Sequence, residues 1–189
     1  MTAPGTVRAF VALEMPAAIR EAIHRERRAL EVELPRARWT RPEGQHLTLR
    51  FLGETPVGRI EELTASLDGA LRGRRRVEIV LSGSGFFPNP RRPRVAWVGG
   101  EARGGAEAAA AVEGAAVACG FEPERRPWSL HLTQARLNRP WPRRAVERFL
   151  DWGRSLELPP FGCSEVVLFT SDLRPDGAVY TALERFPLT

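Results

Sequence analysis

The chain has few cysteines, few histidines and no long apolar run, and each shortage removes a class of protein. Its two cysteines, Cys119 and Cys163, lie far apart and belong to no metal-spaced cluster. Cys119 falls in an alanine-rich helical pattern and Cys163 at the start of a strand pattern, so both read as small buried residues. No segment approaches the roughly 18–20 apolar residues that span a bilayer. The N-terminus lacks the basic region and apolar stretch of a secretory signal. The expectation is a cytoplasmic protein with no membrane partner and no evident obligate protein partner. A zinc site would need third and fourth ligands beyond a histidine pair, and no nearby cysteine or HxxxH pattern supplies them. No metal and no cofactor are expected.

At 189 residues the chain can form one domain with a full core, or two small lobes sharing one. It is 43% hydrophobic and 27% charged, the balance of an ordinary soluble globular protein. Lys+Arg exceed Asp+Glu by 28 to 23. That surplus fits an anionic partner such as nucleic acid or nucleotide, and equally an arginine-rich solvated surface.

Periodicity divides the chain into strands and helices. Residues 7–13 read as a strand, and a helix follows Pro16 with Ile19, Ile23, Leu30 and Leu34 on one face. His24, Arg25, Arg27 and Arg28 fall mostly elsewhere. A strand over 45–52 precedes a helix opening at Pro56, in which Val57, Ile60, Leu63, Leu67 and Leu71 keep three- and four-residue spacing. Residues 75–83 alternate as a strand. The order then restarts: strand 93–99, helix 101–119, strand 128–136, helix 142–152 and strand 161–170. A last strand at 178–185 follows the turn Pro175-Asp176-Gly177.

Two stretches, roughly 7–83 and 93–170, therefore share one order and align by offset. Arg8 corresponds to Arg94, 86 positions on, and His46 to His131, 85 positions on. The expectation is one bilobal domain over 1–189, built on an internal duplication with an extra C-terminal strand. Its fold class is α+β: two pseudo-symmetric lobes of mainly antiparallel sheet, with outer helices and a catalytic cleft between them.

The duplication repeats a motif. Of three histidines, two stand in His46-Leu47-Thr48 and His131-Leu132-Thr133. On a strand, residues i and i+2 share a face. His46 and Thr48, with Arg50 continuing the row, point one way; Leu47, Leu49 and Phe51 point into the core. His131 and Thr133 project together in the second copy. Lobes that face each other would bring two imidazoles and two hydroxyls to one cleft. Those parts suit opening of a cyclic phosphate. Imidazole can serve as base or acid near neutral pH, and hydroxyls can donate to phosphate oxygens. A single His-x-Thr would carry little weight; two at matching points of a repeat carry much more. His24, in a charged helical stretch, reads as a solvated surface residue.

HLTLRFLGE (46–54) and HLTQAR (131–136) resemble the paired H-x-T-x motifs of the two-histidine phosphoesterases. They are most similar to the bacterial and archaeal RNA 2′,3′-cyclic phosphodiesterases, also called 2′–5′ RNA ligases. RAFVALEMP (8–16), GFFPNPRRPRVAWVG (85–99) and VVLFTSDLRPDGAVYTALERFPL (166–188) extend the resemblance over almost the whole chain. It implies His46 and His131 as the catalytic acid and base, and Thr48, Thr133 and Arg136 as phosphate ligands. Alternation would put Arg136 opposite His131, so a bulge or strand end must redirect it. The implied substrates are RNA ends or small cyclic nucleotides, and the implied reaction is hydrolysis to a 2′-phosphate, reversible to 2′–5′ ligation. Two departures stand out: Leu130 where the family has proline, and Gln134 where it has a hydrophobic residue. Arg91, Arg92 and Arg94, with Arg74–Arg76, could line a phosphate-tracking groove. Phe10, Phe87, Trp97 and Tyr180 are aromatics that could stack a base or fill the core. The alternative function is a module that only cradles RNA or nucleotide phosphates, although arginine or lysine alone would serve that better. A histidine-triad transferase would need several histidines alternating on one strand, a pattern that is absent.

Overall fold

Strand β1 (Thr6–Leu13) is buried from Ala9 to Leu13. A β-branched, apolar run of this kind suits a strand covered on both faces. It lies at the centre of a four-stranded sheet of order β3-β1-β8-β9, with β3 at Leu47–Pro56, β8 at Glu165–Arg174 and β9 at Gly177–Pro187. A second, five-stranded sheet has the order β2-β6-β5-β4-β7, formed by Arg38–Trp39 (β2), Val77–Phe87 (β4), Val95–Arg103 (β5), Leu132–Arg136 (β6) and Phe161–Cys163 (β7). Every ladder in both sheets is antiparallel. This computed structural model describes residues 5–174 and 177–189, so residues 175 and 176 of the expected turn lie outside the described residues.

Strands cross between the two stretches of sequence. β4, from the first stretch, pairs with β5 in the second sheet; β8, from the second, pairs with β1 in the first sheet. Each sheet is thus made from both stretches, and residues of both sheets join one hydrophobic core.

Among the described residues four α-helices complete the α+β architecture: α1 (Ala17–Glu33), α2 (Ile60–Leu71), α3 (Gly105–Ala118) and α4 (Arg143–Ser155). The buried face of α3 is mostly alanine, which lets α2 approach closely; the Ser66 hydroxyl donates to the Ala115 carbonyl at 3.2 Å. Gly105 opens α3 against an indole, since a Cβ there would stand 2.7 Å from the Trp128 ring. α4 lies on β4, where the Ser84 hydroxyl donates to the Phe149 carbonyl at 3.1 Å.

Boundaries shift for local reasons. β4 runs on to Phe87 because Gly85 makes room for the indole of its partner Trp97, which a Cβ would meet at 2.3 Å. β5 continues to Arg103, and Gly104, at φ 85°, turns the chain into α3. Pro56 ends β3, and a 3₁₀ turn at Val57–Arg59 leads into α2. The strand expected from 128 begins only at Leu132. Arg27 is a correction: it belongs to the apolar face of α1, four residues after Ile23, and is 1% exposed. Both cysteines are free and buried, and burial pushes the Cys163 thiol up to about 12, leaving it inert.

Candidate active site

Each motif histidine sits one residue before its strand, His46 ahead of β3 and His131 ahead of β6. Each is also tethered to the backbone two residues upstream. His46 hydrogen-bonds the Gly44 backbone at the end of a 3₁₀ turn, Pro42–Gly44. His131 places Nδ1 2.9 Å from the Ser129 carbonyl oxygen. Donation from Nδ1 leaves the other nitrogen of His131 unprotonated in the neutral ring, ready to accept a proton. Aromatic rings fix both imidazoles. Phe10 lies 4.6 Å from His46, and Tyr180 meets it edge-on at 4.9 Å. Phe87 meets His131 edge-on at 5.2 Å and packs at 5.3 Å on Trp97.

His46 lines a cavity of about 790 Å³ together with Thr48, Arg136 and Tyr180. Its pKa falls from 6.5 to about 4, chiefly through burial, with the charges of Arg136 and His131 adding repulsion and the Gly44 hydrogen bond opposing both. His131 and Thr133 are not part of the cavity wall. They approach from β6, and the charge of His131 is felt at His46. His46 and Arg136 thus share a cavity with His131 close by, and although Glu43 also lines it, Arg136 forms no ion pair with a carboxylate among the described residues. An anion is what such a field favours.

Arg136 arrives there through a bulge. In the β5–β6 ladder Trp97 pairs with Thr133 and Ala96 with Ala135, so Gln134 is the extra residue. Both Gln134 and Ala135 are buried, and alternation resumes with Arg136 facing the cavity. Gln134, where the family has a hydrophobic residue, is fully buried yet satisfied by Arg27. The Arg27 guanidinium donates to the Gln134 side-chain oxygen (2.9 Å) and carbonyl (3.3 Å), to the Thr40 carbonyl (2.8 Å) and to Glu31 (2.7 Å), and stands 3.3 Å from His24 Nδ1. All its N–H directions are thereby occupied. A second tie joins the motifs: the Trp128 indole N–H donates to the Thr48 carbonyl at 2.8 Å.

Two expectations for the first motif are corrected. Leu49 and Leu52 are irregular positions in the β1–β3 ladder, so alternation reverses after Thr48. Arg50 consequently points away from the cavity, pairing with Glu113 of α3 at 3.0 Å. Phe51, expected in the core, is 48% exposed and lines the cavity. Sequence reasoning missed it because bulges leave no reliable signature in an apolar run. The basic lining also differs from expectation. The cavity arginines besides Arg136 are Arg8, Arg38, Arg41 and Arg174, whereas Arg74–Arg76, Arg91, Arg92 and Arg94 lie elsewhere. Among the described residues no group of three or more His, Cys, Asp or Glu is placed to hold a metal ion.

Residues 13–97 match the family described as LigT-like phosphoesterase. A protein of Methanothermobacter thermautotrophicus named RNA 2′,3′-cyclic phosphodiesterase is 32% identical over 96% of this chain and 99% of its own. One of the same name from Aquifex aeolicus is 27% identical over 96% and 97%. Among solved structures, a Thermus thermophilus protein superposes with a TM-score of 0.76 at 27% identity, covering 96% of this chain and 97% of its own. Escherichia coli LigT complexed with 3′-AMP gives 0.71 at 26% identity over 97% and 99%. The α+β fold, the two antiparallel sheets and relatives similar over nearly their full length agree, and this chain belongs to the LigT-like phosphoesterases.

Proposed function

We propose that the chain hydrolyses 2′,3′-cyclic phosphate ends of RNA to 2′-phosphates, with His131 as base and His46 as acid. The observation that carries this reading is that His46, Thr48 and Arg136 line one cavity, with His131 of the other sheet near enough for its charge to reach His46. A cyclic phosphate supplies the missing negative charge. It favours the protonated form of His46, so binding itself prepares the acid.

In the proposed step, His131 takes a proton from water as the oxygen attacks phosphorus in line. The bond from phosphorus to the 3′-oxygen breaks, and His46 delivers its proton to that oxygen. The Thr48 and Thr133 hydroxyls donate to non-bridging oxygens, and the Arg136 fork matches the phosphate geometry. The same arrangement run backwards, with a 5′-hydroxyl in place of water, would join two ends 2′–5′. Bulk water disfavours it unless both ends are held together.

The test is product analysis on a defined RNA bearing a 2′,3′-cyclic phosphate, with EDTA present. Nonenzymatic opening yields both isomers, whereas two histidines fixed on opposite sheets present one ester oxygen to the acid. A single product, the 2′-phosphate, is expected by phosphorus NMR. A mixture would mean that the cleft does not fix the ribose, and pure 3′-phosphate would reverse the assigned leaving group. Loss of activity in EDTA that zinc restores would replace the acid–base pair with a metal-bound hydroxide.

A further inference from the structure

The cavity continues past His46 to a surface that hydrolysis of a cyclic phosphate leaves unused. There Phe51 is 48% exposed, and Leu173 at 67% and Val179 at 40% line the same cavity. The Arg8 guanidinium carbon stands 4.5 Å from the centre of the Phe51 ring. Arg8, Arg38 and Arg41 form no ion pair with a carboxylate among the described residues, while Arg174 is paired with Asp172 at 2.9 Å. An exposed aromatic ring with a guanidinium over it offers stacking surface and positive charge together, a combination that suits a planar base attached to a phosphate. Phe51 and Thr48 lie on the same side of β3, three residues apart, or about 10 Å at the rise of a strand. Cross-strand pairing sets Phe51 directly opposite Phe10, whose ring underlies His46. Phe10, Phe51 and His46 thus line one cavity, which connects the reacting centre to the exposed ring.

We propose that Phe51 and Arg8 form a stacking site for the base of the nucleotide on the 5′ side of the reacting one, with Arg8 also facing the linking phosphate. This inference rests on the hydrolytic reading of the cleft, and it makes RNA chain ends, rather than cyclic mononucleotides, the preferred substrate. A mononucleotide has neither a second base nor a linking phosphate, so it leaves this surface empty.

Binding tests the site independently of turnover. The probes are adenosine 2′-monophosphate, the dinucleotide ApA carrying a terminal 2′-phosphate, and the same dinucleotide with its 5′ base removed. Titration calorimetry should show ApA binding about tenfold more tightly than the abasic dinucleotide, the scale of one base stacked on an aromatic ring. Phe51→Ala should erase that ratio and Phe51→Trp should keep it, with circular dichroism verifying both folds. Equal affinity of the wild type for the two dinucleotides would overturn the proposal. So would a ratio that survives Phe51→Ala, or a concentration-dependent dimer that Phe51→Ala abolishes, which would assign the patch to a second copy of the chain. If the wild type turned over no cyclic phosphate at all, the hydrolytic reading would fail by itself, and the ratio would still decide whether the base site exists.

Discussion

Burial and neighbouring charge disfavour the protonated form of His46, and the proposed acid role then has a kinetic signature. kcat/KM reports the free protein and kcat the complex. If His46 must be protonated to act, activity declines with rising pH as it loses its proton. That decline should lie at higher pH in kcat than in kcat/KM, because the bound phosphate opposes the burial and repulsion that lower the free value to about 4. Coincident limbs would remove His46 from the acid role. His46→Ala and His131→Ala should each reduce turnover by about 10²–10⁴-fold, with the double variant losing much less than the product, since the two act as one unit. Near-normal turnover in a folded single variant would refute the pair. Thr48→Val and Thr133→Val delete one donor each and should cost about 1.5–3 kcal/mol in kcat/KM, the range for hydrogen bonds to charged groups. Arg136→Lys keeps charge without the fork, so it should recover only part of what Arg136→Ala loses.

Strand β6 shows how a bulge and a buried cation act together. Gln134 is the extra residue that turns Arg136 toward the cavity, and its buried amide is held by Arg27 from α1. Arg27 also caps the Thr40 carbonyl on the segment that leads to His46. One guanidinium therefore braces the approaches to both motifs. Arg27→Met should leave these acceptors unpaired and lower stability by about 2–5 kcal/mol in urea unfolding. Combining it with Gln134→Leu removes the orphaned amide and should recover part of that loss; a double variant no more stable than Arg27→Met would show that the two side chains are not coupled. The signal for Arg27 was present in the sequence as its four-residue spacing from Ile23, but helical spacing alone gives an arginine no reason to be buried. The reason is the bulge it serves, which belongs to a strand 107 residues away.

Across the molecule, the cleft is a place where the fold resists protonation, so acid should weaken it. In the unfolded chain His46 returns to its ordinary value of 6.5, against about 4 when folded. Above 6.5 both states are neutral and the fold carries no penalty. Between 6.5 and 4 the unfolded chain takes up the proton first, so about 3 kcal/mol of stability is lost as pH falls through that window. Urea midpoints measured at pH 7.5 and 4.5 should draw closer together in His46→Gln; an unchanged difference would place the acid sensitivity elsewhere. The sequence by itself determined the order of the helices and of the longer strands, the paired His-x-Thr motifs and the need for a bulge or strand end if Arg136 is to join them. Those follow from local periodicity, from motif spacing and from the parity of a strand. That periodicity missed the short β2 and read β7 and β8, which lie in different sheets, as one strand. Only the tertiary structure decided that β4 and β8 exchange between sheets, that Arg27 is buried, and that Phe51 and Arg8 face the cavity while Arg50 turns to α3. Partner choice among strands and the side a residue takes after a bulge are set by contacts between segments far apart in the chain, and no local pattern of residues encodes them.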